Sequence, residues 1–162
     1  HHALATLEEA GLVRGVITQN IDGLHQAAGS KHVVEFHGNG QTLSCLECRA
    51  SVSRHQVGEA PPPRCSACQA ILKPDVVFFG EEIPPQALWG SERLLEGAKA
   101  ALVCGTSAEV FPASQIPTMV KQAGGTVIEC NLEPALSSSV ADLRLLGKAG
   151  ETLPALVKAL GF

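Results

Sequence analysis

The sequence contains no tyrosine, one tryptophan and one methionine, and aromatic residues make up only 4% of it. Few flat rings are therefore available to stack on the bases of a single-stranded nucleic acid. Basic residues are also in deficit, with 12 Lys and Arg against 16 Asp and Glu and a formal net charge of −4. Without a basic stripe the chain has no sequence-wide grip on phosphates, and nucleic acid is excluded as its main partner. No apolar run reaches the roughly 18 residues that a membrane-spanning helix requires. Nor do the first residues form the basic-then-apolar pattern of a signal peptide. The expectation is a soluble cytoplasmic protein with no membrane partner. At 45% hydrophobic and 17% charged residues, the chain is too apolar for disorder. Its 162 residues suit one domain or two small lobes.

Six cysteines are present, and four fall in two pairs, Cys45-x-x-Cys48 and Cys65-x-x-Cys68. Sixteen residues separate the pairs, a spacing that fits a four-thiolate zinc site. All four positions of the tetrahedron would be filled by protein, so the metal would be structural and take no part in catalysis. A redox dithiol would need only one of the pairs. Cys104 and Cys130 end apolar segments and read as small buried hydrophobes.

The remainder alternates between helix and strand patterns. Helices are predicted over 2–10, 23–28, 86–98, 113–123 and 151–160, and strands over 13–18, 32–36, 75–79, 100–104, 126–130 and 143–146. Such alternation implies parallel pairing and a doubly wound α/β sheet. Between Gly38 and Leu72 the composition changes to cysteine, proline and little helical periodicity. The expected division is therefore 1–37 with 73–162 as the sheet domain, and 38–72 as an inserted zinc lobe.

Three predicted strands run into small polar residues: Gln19-Asn20-Ile21-Asp22, Gly105-Thr106-Ser107 and Asn131-Leu132-Glu133. Ligands of open parallel sheets bind at the carboxyl ends of strands, and groups like these suit a ribose or an amide. His37 ends another strand and precedes Gly38, which lets a ligand approach the ring. Imidazole is a natural general base near neutral pH. The pattern is equally compatible with an ordinary strand-end histidine. Asp22 could cap the helix that follows it, face a ligand, or do both.

Taken in order, Thr18-Gln-Asn-Ile-Asp-Gly-Leu-His25, Phe36-His-Gly38, the cysteine pairs, Lys73-Pro-Asp-Val-Val-Phe-Phe-Gly-Glu81, Cys104-Gly-Thr-Ser107 and Asn131-Leu-Glu133 resemble the sirtuin family of NAD-dependent protein deacylases. The resemblance spans essentially the whole chain. It implies a Rossmann-like sheet with a small zinc lobe, NAD as co-substrate, and acylated lysine side chains of proteins as partners. It implies that His37 is the general base and that Gln19, Asn20, Ile21 and Asp22 line the nicotinamide pocket, with Asn20 and Asp22 counted among the catalytic residues. Gly105, Thr106 and Ser107 would meet the ribose–phosphate part, Asn131, Leu132 and Glu133 the adenosine ribose, and Ala149 the adenine. Val76, Val77, Phe78, Gly80 and Glu81 would pair as a strand with the acyl-lysine peptide, and Val77 and Phe78 would also wall the acyl-lysine tunnel. Cys45, Cys48, Cys65 and Cys68 would hold the zinc.

Sirtuins begin with a strand and a Gly-Ala-Gly-x-Ser turn that cradles the pyrophosphate, and no such segment lies within these 162 residues. The expectation is that this polypeptide lacks that cradle. On this basis the alternative is a zinc-stabilised fragment that binds NAD or acyl peptide without turnover.

Overall fold

The computed structural model describes residues 1–58 and 61–162. Residues 59 and 60, within the expected zinc lobe, lie outside the described residues. The chain forms two compact units, His1–Gly15 with Glu92–Phe162, and Val16–Ser91.

The first unit is built on a parallel sheet of β6 (Ala100–Cys104), β7 (Thr126–Asn131) and β8 (Leu143–Leu146), in the order β6-β7-β8. Leu102 lies opposite Ile128, and Ile128 opposite Leu143. β7 is central, so apolar and polar side chains alike are enclosed: Val127, Glu129 and Cys130 are all 0% exposed. Helices α4 (Ile116–Gln122) and α5 (Ala149–Ala159) pack on β7, and α1 (His2–Glu9) lies against α5. Val120, Val127, Leu136 and Ala141 make the core, flanked by Leu95, Ala101 and Val103.

Helix α4 stops where a left-handed residue is needed. Gly124 has φ +84°, and its N–H closes on Lys121 O. At the next residue there is no room for a side chain, since a Cβ on Gly125 would lie 2.6 Å from Val120 Cγ1. The turn therefore delivers β7 directly against the helix before it.

The second unit holds a parallel pair, β1 (Val16–Thr18) and β2 (Val33–Glu35), joined through the short helix α2 (Leu24–Ala27). It also holds an antiparallel sheet of order β4-β3-β5, from β3 (Gly38–Cys45), β4 (Ser51–Ser53) and β5 (Leu72–Val76). Leu43, Cys45, Cys65 and Leu72 form its core. Helix α3 (Pro85–Leu95) runs across the boundary between the units.

Parallel pairing is found between β1 and β2 and in β6-β7-β8, and the main differences from the sequence reading lie at β1, in the segment from 38 and at β5. β1 begins at Val16 and not at Val13, because the N–H groups of Leu12 and Val13 both close on Leu7 O at the end of α1. The segment from 38 contains regular strands, which its glycines and polar residues concealed. β5 starts at Leu72 and not Asp75, since Cys45 pairs with Leu72, Ser44 with Lys73 and Leu43 with Pro74. Beyond Val76 the chain turns, for the Phe78 N–H donates to Glu81 Oε2 at 3.1 Å.

Candidate active site and zinc centre

At the end of β1, Asn20 N–H donates to Thr18 Oγ1 at 3.1 Å, which turns the chain out of the strand. Ile21 O accepts the N–H of Gly40, and Asp22 O accepts Gln41 Nε2. Residues 20–22 are thereby tied to the start of β3, with Asn20, Ile21 and Asp22 exposed at the surface of their unit. Asp22 Oδ1 also accepts the N–H of Leu24 at 3.0 Å, an Asx turn from the residue before the cap, so Asp22 steadies the start of α2 without being its N-cap. Gly23 occupies the cap position itself, with φ +71°.

His37 lies between buried Phe36 and Gly38, its ring edge-on to Phe36 at 5.7 Å. Its carbonyl accepts the N–H of Val77 at 2.9 Å. Gly38 is required here on two counts. It has φ +75°, and a Cβ would stand 1.9 Å from Asp75 O. Gly38→Ala is therefore expected to push β3 from β5 and lower stability by at least about 1–3 kcal/mol. Urea unfolding measures this, and an unchanged midpoint would contradict the close approach.

A polar chain braces the same turn. Gln26 Nε2 and Asn39 Nδ2 donate to the two oxygens of Glu35, Asn39 Oδ1 accepts from the N–H groups of Gln41 and Thr42, and Thr42 Oγ1 donates to Asp75 Oδ2 at 2.6 Å. The Val76–Glu81 segment has its own clamp. Lys73 Nζ donates to Val76 O and to Glu81 Oε2, and lies 4.9 Å over the Phe78 ring. The Phe78 N–H and Lys73 together hold the Glu81 carboxyl below its usual range. Phe78 is half-exposed and Phe79 is 97% exposed.

The four cysteines come together, with all Sγ atoms within 4.8 Å of one another. Cys45 and Cys68 are 3.4 Å apart, and Cys48 and Cys65 3.7 Å. A tetrahedron with Zn–S bonds of about 2.3 Å has edges of about 3.8 Å, so the four sulfurs are gathered at close to the separations the metal needs. Both pairs use the same knuckle. Arg49 N–H returns to Cys45 O and Gln69 N–H to Cys65 O, with positive φ at Arg49 and Gln69. The Cys48 N–H directed at Cys45 helps bring that thiol down to about 6. Despite the Ala70 N–H, the Cys45 sulfur beside it drives Cys68 up to about 12. The Cys68 proton is thus held among sulfurs that a divalent cation would strip of protons.

In the first unit, Gly105 N–H reaches Cys130 O, and Thr106 Oγ1 accepts the Ala108 N–H. Asn131 is buried. Its Oδ1 accepts the Thr106 N–H and its Nδ2 donates to Thr106 O, both at 3.1 Å. Gly147 N–H closes on Asn131 O, which brings the β8 end and the start of α5 at Ala149 alongside. Gly105–Ser107 and Asn131–Glu133 thus meet through Asn131, while Leu132 and Glu133 stay exposed. Burial pushes the Cys104 thiol up to about 12, with neighbouring Cys130 adding to the effect, an environment that disfavours the nucleophilic thiolate.

Glu129 carries no signal of a site in the sequence reading, yet it is 0% exposed. Its carboxylate accepts from Arg144 Nε at 2.9 Å, from Asn131 Nδ2 at 3.0 Å and from the N–H groups of Ala135 and Leu136. Burial alone would raise its pKa, but these donors outweigh it and hold the group down to about 2. The signal that could have marked it is a lone charge inside Thr126-Val-Ile-Glu-Cys-Asn131, with Arg144 opposite on β8. The folded value lies below the ordinary glutamate value of about 4.3. The stabilisation it provides is therefore complete above that pH and is lost as pH falls toward about 2. Urea midpoints should fall between pH 5 and pH 3 (roughly) more steeply for the unaltered protein than for Glu129→Gln. Parallel curves would contradict this.

Residues 1–112 match the family model described as the Sir2 family. The chain belongs to the Sir2 family. Over 158 residues it is 46% identical to the NAD-dependent protein deacylase 2 of Pyrobaculum aerophilum, a match that takes in 98% of this chain and 64% of that protein. A Sir2 homologue solved with ADP-ribose superposes with a TM-score of 0.93 at 42% identity, covering 100% of this chain and 67% of that one. A Sir2 structure with a p53 peptide and NAD+ also gives 0.93, at 36% identity, over 99% of this chain and 69% of that one. The chain thus spans somewhat under two thirds of the length of the curated Sir2 relative. The fold is the Sir2 α/β architecture, and its four clustered cysteines are compatible with zinc.

Proposed function

We propose that this chain carries the catalytic base, the nicotinamide and adenosine strand ends, and the peptide strand of an NAD-dependent protein-lysine deacylase. Such an enzyme transfers the acyl group of an acyl-lysine to ADP-ribose and releases nicotinamide. The observation that carries the reading is the hydrogen bond from Val77 N–H to His37 O, which attaches the imidazole-bearing turn to the segment assigned to the peptide.

The remaining roles are assigned residue by residue. Gln19, Asn20, Ile21 and Asp22 would line the nicotinamide site, with Asp22 accepting the carboxamide. Gly105, Thr106 and Ser107 would hold the ribose–phosphate portion, Asn131, Leu132 and Glu133 the adenosine ribose, and Ala149 the adenine. Bound NAD supplies an electrophilic ribose carbon, activated by loss of nicotinamide. The His37 imidazole takes the proton of a ribose hydroxyl and so prepares that oxygen for acyl transfer. Val76, Val77, Phe78, Gly80 and Glu81 would take the substrate backbone by β-augmentation, with Val77 and Phe78 against the apolar lysine stem. Cys45, Cys48, Cys65 and Cys68 would hold a structural zinc that cross-links the 38–72 lobe, and the remainder, 1–37 with 73–162, would form the cofactor domain.

The expected compartment is the cytoplasm. Among the described residues no helix is long and apolar enough to cross a membrane. The test is mass spectrometry of an acetyl-lysine peptide incubated with the protein carrying this chain. Loss of the acetyl group is expected with NAD present, and loss that also occurs without NAD would overturn the reading.

A further inference from the structure

A carboxylate with no solvent exposure is costly unless several donors hold it, and an apolar residue would fill the same space more cheaply. Glu129 is held by four groups, and three of them come from the last residue of β7, Asn131, and the turn that follows it, Ala135 and Leu136. The fourth, Arg144, also donates to Leu136 O at 2.8 Å. The whole network therefore closes around the 131–136 turn.

Its effect on Asn131 is specific. A carboxylate only accepts hydrogen bonds, so Asn131 must turn its Nδ2 toward Glu129. With the amide fixed that way, Oδ1 faces the Thr106 N–H, and Nδ2 also reaches Thr106 O. If the amide were reversed, two acceptors would face each other at Glu129 and two donors at Thr106. One buried carboxylate thereby orders the loops at the ends of both β6 and β7.

We propose that Glu129 is a positioning residue for the adenosine end of the cofactor, setting the Asn131 amide and, through Thr106, the neighbouring ribose–phosphate loop. This rests on the cofactor reading above. Glu129 itself touches no ligand; it acts through Asn131 and the closed turn that presents Leu132 and Glu133.

The test uses the protein carrying this chain, with ADP-ribose as the calorimetric probe and melting temperature measured alongside. Glu129→Met removes every acceptor at similar volume. Glu129→Gln keeps one carbonyl oxygen for the same donors. Asp142→Asn is the control, because it weakens a purely structural bond to Val127 N–H on the same strand. Glu129→Met should weaken ADP-ribose binding and raise the KM for NAD by roughly ten- to a hundredfold, with kcat changed only a few-fold. Glu129→Gln should fall between Glu129→Met and the unaltered protein, and Asp142→Asn should lower the melting temperature without altering affinity. Should Glu129→Met fail to fold, Glu129→Gln against Asp142→Asn decides: weaker binding by the glutamine variant alone supports the proposal. Equal affinity in all folded variants, or losses that merely track melting temperature, overturns it. Failure of the unaltered protein to bind ADP-ribose would instead overturn the cofactor reading itself, and this proposal with it.

Discussion

Replacing His37 with alanine is expected to lower NAD-dependent deacylation by about 10²–10⁴-fold, the usual cost of removing a general base. The fold should hardly change. The turn that carries His37 is fixed by main-chain groups and its neighbours: Val77 N–H on the His37 carbonyl, Asp75 O against Gly38, and the Glu35–Asn39–Thr42–Asp75 chain of hydrogen bonds, which Thr42 joins by its N–H to Asn39 and its hydroxyl to Asp75. None of these uses the imidazole. Melting temperature and zinc content should therefore match those of the unaltered protein while turnover collapses. Full activity in the alanine variant would remove His37 from the chemistry, and a large drop in melting temperature would show that the ring serves packing.

Replacing Cys65 with alanine is expected to act in the opposite way, on the fold first. Cys65 and Cys45 are both 1% exposed and belong to the core with Leu43 and Leu72. Among the described residues, Leu43 and Leu72 are the only buried members of that cluster besides the two cysteines, so the metal cross-link between the two knuckles should provide much of its stability. Zinc measured by elemental analysis should drop from about one ion per chain to nearly none. Backbone amides of β3 and β5 should lose protection from hydrogen exchange, whereas those of β6 and β7, which sit in the other unit, should keep theirs. Stoichiometric zinc in the variant would contradict the four-cysteine assignment.

The two variants also separate what was legible in the sequence from what was not. The cysteine spacing gave the cluster because zinc imposes a ligand count and a loop length that survive in one dimension. The strand over 100–104 is equally plain, being a short apolar run between Lys99 and Gly105, whereas 143–146 is a weaker signal because Arg144 interrupts its leucines. β3 was hidden, since Gly38-Asn-Gly-Gln-Thr has no apolar alternation and its pairing comes from β5, about thirty residues away. The start of β1 was misplaced because Leu12 and Val13 look like strand residues but complete the end of α1. Glu129 and Asn39 were missed for a related reason. Each matters through partners distant in sequence, and a lone acid or amide carries no mark of what it will meet. Asp22 does not take the N-cap that its place before Gly23 suggests; Gly23 does, and Asp22 accepts the Leu24 N–H from one residue earlier.

In the proposed reaction, acyl transfer and NAD cleavage are one coupled event served by His37 and the strand ends of this chain. It is tested most directly by counting nicotinamide released against lysine side chains freed, with and without an acyl-lysine peptide. Equal amounts of the two products are expected, and no nicotinamide above background when the peptide lacks its acyl group. Release of nicotinamide at the same rate without the acyl peptide, or free lysine formed in excess of nicotinamide, would contradict it.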